Sequence, residues 1–231
     1  MGTNKSDRRI GPGRLTHGWH GPQRTTLRLA RPGEAGEVAR LAAVAGGPLD
    51  KYMATAIEDG AASKAVLSAL RAGTDALIEP AARAAAAGSP APLTELAIAL
   101  VAEDGQQIVG TLCALPPGAY IAQLMTNGLE PAHAIVTALA VIKIKALAVD
   151  PSHQDRGIAS ALLAGCRRLY DQLGYHLLFG SFTVGSGLDA FYAARGFEII
   201  PAGGGISMNV LLGQPARLGV DPGEQLFARW R

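Results

Sequence analysis

The sequence predicts an α/β fold, a mixed sheet flanked by helices, on three observations. The second half alternates strand-like apolar runs with helix-periodic ones: strand, helix, strand, helix, then strands. Leu96–Val101 and Ile108–Leu115 flank Glu103-Asp104-Gly105-Gln106, and Asp-Gly between two apolar runs signals a hairpin. Hydrophobic residues make up 48% of 231 residues, enough for a sizeable core in one large domain or two small ones.

Residues 1–24 lack periodicity and contain Gly11-Pro12-Gly13 and Gly21-Pro22, so a flexible leader is expected there. Its His17, Trp19 and His20 have no further ligand nearby in sequence. Thr25–Ala30 is a short strand, and Pro32-Gly33-Glu34 opens a helix with Val38, Leu41 and Ala42 at helical spacing. Residues 49–88 are Ala-rich, with apolar residues three to four apart. They predict an insertion of two or three helices, broken near Gly60, Gly73 and Pro80. Gly88–Pro92 is a linker by composition, which carries the insertion to residue 92. Residues 119–139 hold an Asn127-Gly128 turn and a helix-compatible Pro131–Leu139.

Val141–Val149 is the next strand. Strict alternation puts Val141, Lys143, Lys145, Leu147 and Val149 on one face and Ile142, Ile144, Ala146 and Ala148 on the other. Ile158, Leu162, Cys166, Leu169 and Leu173 form a helical stripe ending at Gly174. Tyr175–Phe182 is a strand and Leu188–Ala194 a short helix. Phe197–Ile200 and Ile206–Leu212 read as paired strands across Gly203-Gly204-Gly205. Residues 213–231 form a polar tail whose Leu226, Phe227 and Trp230 could dock on the body.

Composition excludes several functions. A net charge of +2 without a Lys/Arg run argues against nucleic acid or an anionic membrane. Two cysteines, Cys113 and Cys166, cannot make a disulfide framework and sit in apolar patterns, as buried free thiols would. The longest apolar stretch, residues 132–149, is interrupted by Lys143 and Lys145, and no secretory signal is visible, so a cytoplasmic protein is the default expectation. No metal site is predicted.

One stretch carries chemistry. The strand ending at Asp150-Pro151, the polar loop with Gln154, Arg156 and Gly157, and the helix from Ile158 form a strand–loop–helix unit. A helix N-terminus offers free N–H groups and the positive end of a dipole, which suits a phosphate. A Lys-Ser/Thr after the glycine is absent, against a P-loop, and G-x-G-x-x-G is absent, against a dinucleotide site.

Gln154-Asp155-Arg156-Gly157-Ile158-Ala159 resembles the Q/R-x-x-G-x-G/A signature of the GNAT N-acetyltransferase superfamily. Leu147–Pro151 is similar to the strand before that loop, Ser160–Leu163 to the helix after it, and Phe191-Tyr192-Ala193-Ala194-Arg195-Gly196-Phe197 to the later F-Y-x-x-x-G-F segment. Thr26–Leu41 resembles the opening strand and helix. The resemblance covers roughly residues 25–212. It implies a mixed, mostly antiparallel twisted sheet flanked by helices, and acetyl-CoA or a related acyl-CoA as co-substrate. The implied activity is acetyl transfer to a primary amine of a small molecule or peptide by an acyl-CoA-dependent N-acyltransferase. An acyl-CoA-binding sensor or interaction module with little catalysis is the alternative. A homodimer is left open.

By the same resemblance, backbone N–H groups of Gln154, Asp155, Arg156, Gly157, Ile158 and Ala159, with Ser160, hold the pyrophosphate. Leu147, Ala148 and Val149 receive the acyl arm on a strand that splays from its neighbour. Tyr192 matches the tyrosine that protonates the departing thiolate. Where the family commonly has Asn, seven residues before that tyrosine, this chain has Gly185. The general base is open among Glu58, Asp59, Glu103, His133 and Glu198. His153 could touch CoA or solvent. Lys143 and Lys145 could face solvent or favour an anionic acceptor.

Overall fold

The computed structural model describes residues 9–213 and 215–231. In chain order the elements begin with α1 (Pro12–His17), β1 (Trp19–His20), β2 (Thr26–Leu29) and α2 (Ala35–Val44). The Ala-rich stretch follows as α3 (Lys51–Glu58), α4 (Lys64–Ala72) and α5 (Ile78–Ala87). Then come the hairpin β3 (Ile98–Asp104) and β4 (Gln107–Leu115), and α6 (Gly118–Thr126) and α7 (Pro131–Ala140). The site region is β5 (Val141–Val149), α8 (Ile158–Leu173), β6 (Leu177–Thr183) and α9 (Leu188–Ala193). The chain closes with β7 (Glu198–Ile199), β8 (Ile206–Ser207), α10 (Asn209–Leu212), β9 (Arg217–Leu218) and β10 (Glu224–Trp230).

Eight strands form one sheet in the order β1-β2-β3-β4-β5-β6-β10-β7. Every pairing in it is antiparallel except β5 with β6, so the expected mixed, mostly antiparallel sheet is present. The crossover between those two parallel strands is α8, as a parallel pair demands. The apolar stripe of α8 packs on the sheet with Leu162, Cys166, Leu169 and Tyr170 fully buried. The Tyr170 hydroxyl lies 3.1 Å from the Leu96 carbonyl and 3.2 Å from that of Ala114, which fixes the helix against β4. Cys113 and Cys166 are free and buried. Burial pushes the Cys113 thiol up to about 12 and Cys166 higher still, as for inert core thiols.

The opposite end of the sheet is locked by charge. Arg28 on β2 is buried and donates to both Glu34 oxygens at 2.8 Å and to Glu103 at 3.0 Å. This joins β2, the entry to α2 and β3. Burial alone would raise Glu34, but the Arg28 and Arg31 hydrogen bonds hold it below the usual carboxylate range.

Several expectations from sequence are corrected. Residues 9–24 of the expected flexible leader are folded, while residues 1–8 lie outside the described residues. Ile10 and Leu15 are buried, β1 pairs with β2, and the Ile10 backbone exchanges two hydrogen bonds with the Gln172 amide on α8. Gln172 is 162 positions away, beyond what local pattern reveals. The expected C-terminal tail over 213–231 contains β10, which inserts between β6 and β7. Its Leu226, Phe227 and Ala228 are each 1% exposed. The expected pairing of 197–200 with 206–212 does not form: β7 pairs with β10, β8 with β9, and residues 209–212 are helical. Such short apolar runs do not distinguish strand from helix. The Ala-rich insertion is helical as expected, with breaks at Gly60 and Gly73, but Pro80 sits in the first turn of α5 rather than breaking it.

The two faces of β5 also differ from strict alternation. Cys113 pairs with Ala146, and the next rung is Ala114 with Ile144, so Lys145 is an extra, bulged residue. The bulge swaps the faces beyond it. Ile142, Ile144, Leu147 and Val149 share the α8 side, whereas Ala146 and Ala148 pack on the other.

Among the described residues, no helix is long and apolar enough to cross a membrane.

Candidate active site

The junction of β5 and α8 is shaped by local hydrogen bonds. Asp150 Oδ1 accepts from the Ser152 N–H at 3.1 Å and from its hydroxyl at 2.6 Å, turning the chain and holding Asp150 below the usual carboxylate range. Gln154 Nε2 donates to the Val149 carbonyl at 3.1 Å, tying the loop back to the strand. Asp155 has φ 57° and Gly157 φ 80°. A Cβ on Gly157 would meet only Pro22, at 3.8 Å, so what calls for glycine there is the left-handed backbone. Gly157 is the N-cap of α8, a helix of 16 residues without a side-chain cap.

As a result, the N–H groups of Asp155, Arg156, Gly157, Ile158, Ala159 and Ser160 have no acceptor among the described residues. Free donors and the helix dipole combine at one point.

That point lies at the mouth of a gap in the sheet. The β5–β6 ladder runs from Val141↔Leu177 to Ile144↔Gly180 and stops, although β5 continues to Val149 and β6 to Thr183. The strands therefore part beyond Ile144, as expected from the resemblance. Gly180 stands on the last rung. A Cβ there would collide with the Phe227 ring and lie 2.9 Å from the Ile144 carbonyl oxygen. The missing side chain admits Phe227 from β10.

A cleft of about 540 Å³ opens beside the gap on the α8 face. It gathers nine of the eleven predicted residues: Leu147, Val149, Gln154, Asp155, Gly157, Ile158, Ala159, Ser160 and Tyr192. Ala148 is not among them; the bulge turns its side chain to the other face, and its backbone is in register with Thr111. Arg156 is not among them either; its guanidinium donates to the Ser152 carbonyl at 2.9 Å and is solvent-exposed.

Tyr192 is 6% exposed and held by aromatic packing. Its ring stacks on Phe227 at 3.6 Å and on Phe182 at 5.8 Å, and meets Phe191 and Phe197 edge-on. Such pairs contribute roughly 0.5–1.5 kcal/mol each beyond area burial. Its hydroxyl makes no hydrogen bond among the described residues. Burial pushes its pKa up to about 12.

Arg195 was not singled out from sequence. It lines the cleft, donates to Ser160 Oγ at 2.6 and 3.0 Å and to the Phe191 carbonyl at 2.6 Å, and stacks 3.6 Å over the Phe191 ring. The guanidinium is thus fixed beside the free amides of α8. The available signal was its charge within Phe191–Phe197. His153 also lines the cleft, with Nδ1 2.8 Å from Ser152 Oγ. None of the five candidate bases lines it. Glu103 is engaged by Arg28, Glu58, Asp59 and Glu198 are exposed, and His133 lies on α7.

Comparison with known proteins bears on this site. No curated protein matches the chain in sequence. Among solved structures, a GNAT-family acetyltransferase from Staphylococcus aureus Mu50 is 12% identical, with TM-score 0.50 over 89% of this chain and 98% of that one. The GNAT domain of S. lividans PAT is 12% identical, with TM-score 0.49 over 90% of each chain. A PaiA N-acetyltransferase from Thermoplasma acidophilum, in complex with coenzyme A, is 12% identical, with TM-score 0.46 over 90% of this chain and 99% of that one. Residues 95–199 match the family model described as an acetyltransferase (GNAT) domain. The matched stretch spans the β3–β4 hairpin, the loop at α8 and Tyr192, and over it the chain is similar to the GNAT acetyltransferases.

Proposed function

We propose that the protein is an N-acetyltransferase that moves an acetyl group from acetyl-CoA directly to a primary amine in a ternary complex. One observation carries this reading. Six consecutive N–H groups, Asp155 to Ser160, have no partner among the described residues and stand at the mouth of the gap between β5 and β6, and five of those six residues line the same cleft as the Tyr192 ring.

The residues present fit the co-substrate. The amides of 155–160 and the α8 dipole suit a pyrophosphate. Arg195 adds a fixed positive charge beside them. Leu147, Val149 and Phe191 offer an apolar wall to a pantetheine arm. Acetyl-CoA, when bound, supplies a thioester carbonyl activated toward an amine.

In the transfer, a C–N bond forms between the neutral amine and that carbonyl, the C–S bond breaks, and the proton shed by the nitrogen restores the one that Tyr192 gives to the sulfur. The Tyr192 hydroxyl, free of hydrogen bonds to the described residues, can give its proton to the departing sulfur. Its pKa of about 12 makes donation to a solvated thiolate unfavourable. A sulfur leaving into the same apolar surroundings is also made more basic, which narrows the mismatch.

The test is a pair of measurements on the purified chain. Acetyl-CoA at about 100 times its Kd should stabilise the fold by about 2.7 kcal/mol. An amine library should yield at least one acceptor that drives thiol release. No thiol release from any amine would defeat the proposal, whether or not acetyl-CoA stabilises the fold.

A further inference from the structure

A second cleft, of about 530 Å³, lies on the opposite face of the sheet. It is lined by Lys143 and Lys145 of β5, Phe179 of β6 and Glu224 of β10. Lys143 pairs with Phe179 one rung before the β5–β6 ladder ends, and Glu224 stands opposite Thr183, the last residue of β6. The first cleft takes Leu147 and Val149 from the same β5, on the α8 face. The two clefts thus flank one gap.

The second cleft carries charge of both signs, Arg217 and Asp50 also lining it. The bulge at Lys145 leaves two ammonium groups facing one space, since Lys143 and Lys145 both line it. Asp221 and Glu224 line the same space. None of these four groups forms an ion pair among the described residues. Lys143 is held below the ordinary lysine range by burial first and by the Lys145 charge second, while Glu224 and Asp221 pull it back. Two cations kept close, one of them partly desolvated, repel each other unless an anion joins them. Tyr120 also lines the cleft, and its hydroxyl is buried without a hydrogen-bond partner among the described residues.

We infer that this second cleft is the acceptor site, and that its substrate is a primary amine bearing an anionic group, carboxylate or phosphate, held by Lys143 and Lys145 with the ammonium end toward Asp221 and Glu224. The inference rests on the acetyl-transfer reading and adds the substrate class to it. A neutral amine or a polyamine brings no anion to the two lysines. An amine with its own anion complements both halves of the cleft and can present nitrogen to the gap.

Matched acceptors test this with the full chain, acetyl-CoA and thiol release. The pairs are L-amino acids against their carboxamides, and phosphoethanolamine against ethanolamine. The anionic member of at least one pair should have kcat/KM about tenfold higher or more, worth ~1.4 kcal/mol. Which pair shows the larger ratio separates carboxylate from phosphate. Lys145→Ala and Lys143→Met should each cut that ratio several-fold without changing the Kd for acetyl-CoA, and Lys145→Arg should largely restore it. Equal use of both members, or variants that leave the ratio unchanged, would overturn the inference while leaving acetyl transfer intact. Bound acetyl-CoA with no thiol release from any amine would instead overturn the transfer reading.

Discussion

The two clefts flanking the β5–β6 gap are made of different material. The α8-side cleft takes most of its donors from one contiguous run, residues 155–160, and those donors are backbone N–H groups. The opposite cleft is assembled from side chains of separated segments: Asp50, Pro116–Gln123, Lys143, Lys145, Phe179 and 217–224. A backbone cradle is a matter of φ and ψ, so it tolerates many side chains and leaves a short spacing pattern. A side-chain cleft has no such signature. The difference teaches that a donor can be read from one loop, whereas an acceptor needs the chain folded.

The comparison breaks first at Gly157. Gly157→Glu adds a carboxylate beside the free amides and a Cβ at φ 80°. It should abolish acetyl-CoA stabilisation, a loss of roughly 4 kcal/mol at 1,000 times the Kd, read by thermal unfolding. Stabilisation equal to wild type would put the donor elsewhere.

Next comes Tyr192→Phe, which keeps the stack on Phe227 and removes only the hydroxyl. Turnover should fall by about 10²-fold or more with acetyl-CoA affinity little changed. Undiminished kcat would strip Tyr192 of its acid role.

Arg195→Ala should weaken acetyl-CoA by about tenfold, consistent with losing one or two charge-assisted contacts. Calorimetric titration would show it, and an unaltered Kd would make Arg195 a purely structural tie between Ser160 and Phe191.

The smallest effect is expected at Asp50, on the other side of the gap. It caps α3 by accepting from the Tyr52 and Met53 N–H groups and also lines the second cleft. Asp50→Ala should cost about 1 kcal/mol of stability in denaturant and leave the Kd for acetyl-CoA alone. A change in that Kd would mean the clefts are not independent.

Much of the fold was legible where pattern is local. The β3–β4 hairpin, α8 with its stripe, and the strand–loop–helix at 147–160 follow from period and turn chemistry. What was hidden depends on distant partners. Lys145 bulges because β4 pairs with β5 in a shifted register, and nothing in Val141–Val149 records that shift. Trp19 packs against the core, and Ile10 is clasped by Gln172, so residues that look like a leader are body. Accordingly, removal of residues 1–24, which sequence alone would regard as harmless, should destabilise the fold. At the site, Tyr192 was visible in its motif. Its support was not: Phe227 reaches it from 35 positions downstream through the space left by Gly180.

The place of β10 between β6 and β7 bears on biosynthesis. Strands β2 to β6 can pair as they leave the ribosome, but the outer edge of β6 must wait until residues 224–230 are made. Until then Leu178–Phe182 offers an unpaired, apolar edge, the kind that recruits other chains. The Tyr192 ring meanwhile lacks its closest stacking partner. A nascent chain is thus exposed to misassociation and without its completed aromatic cluster until its final strand docks.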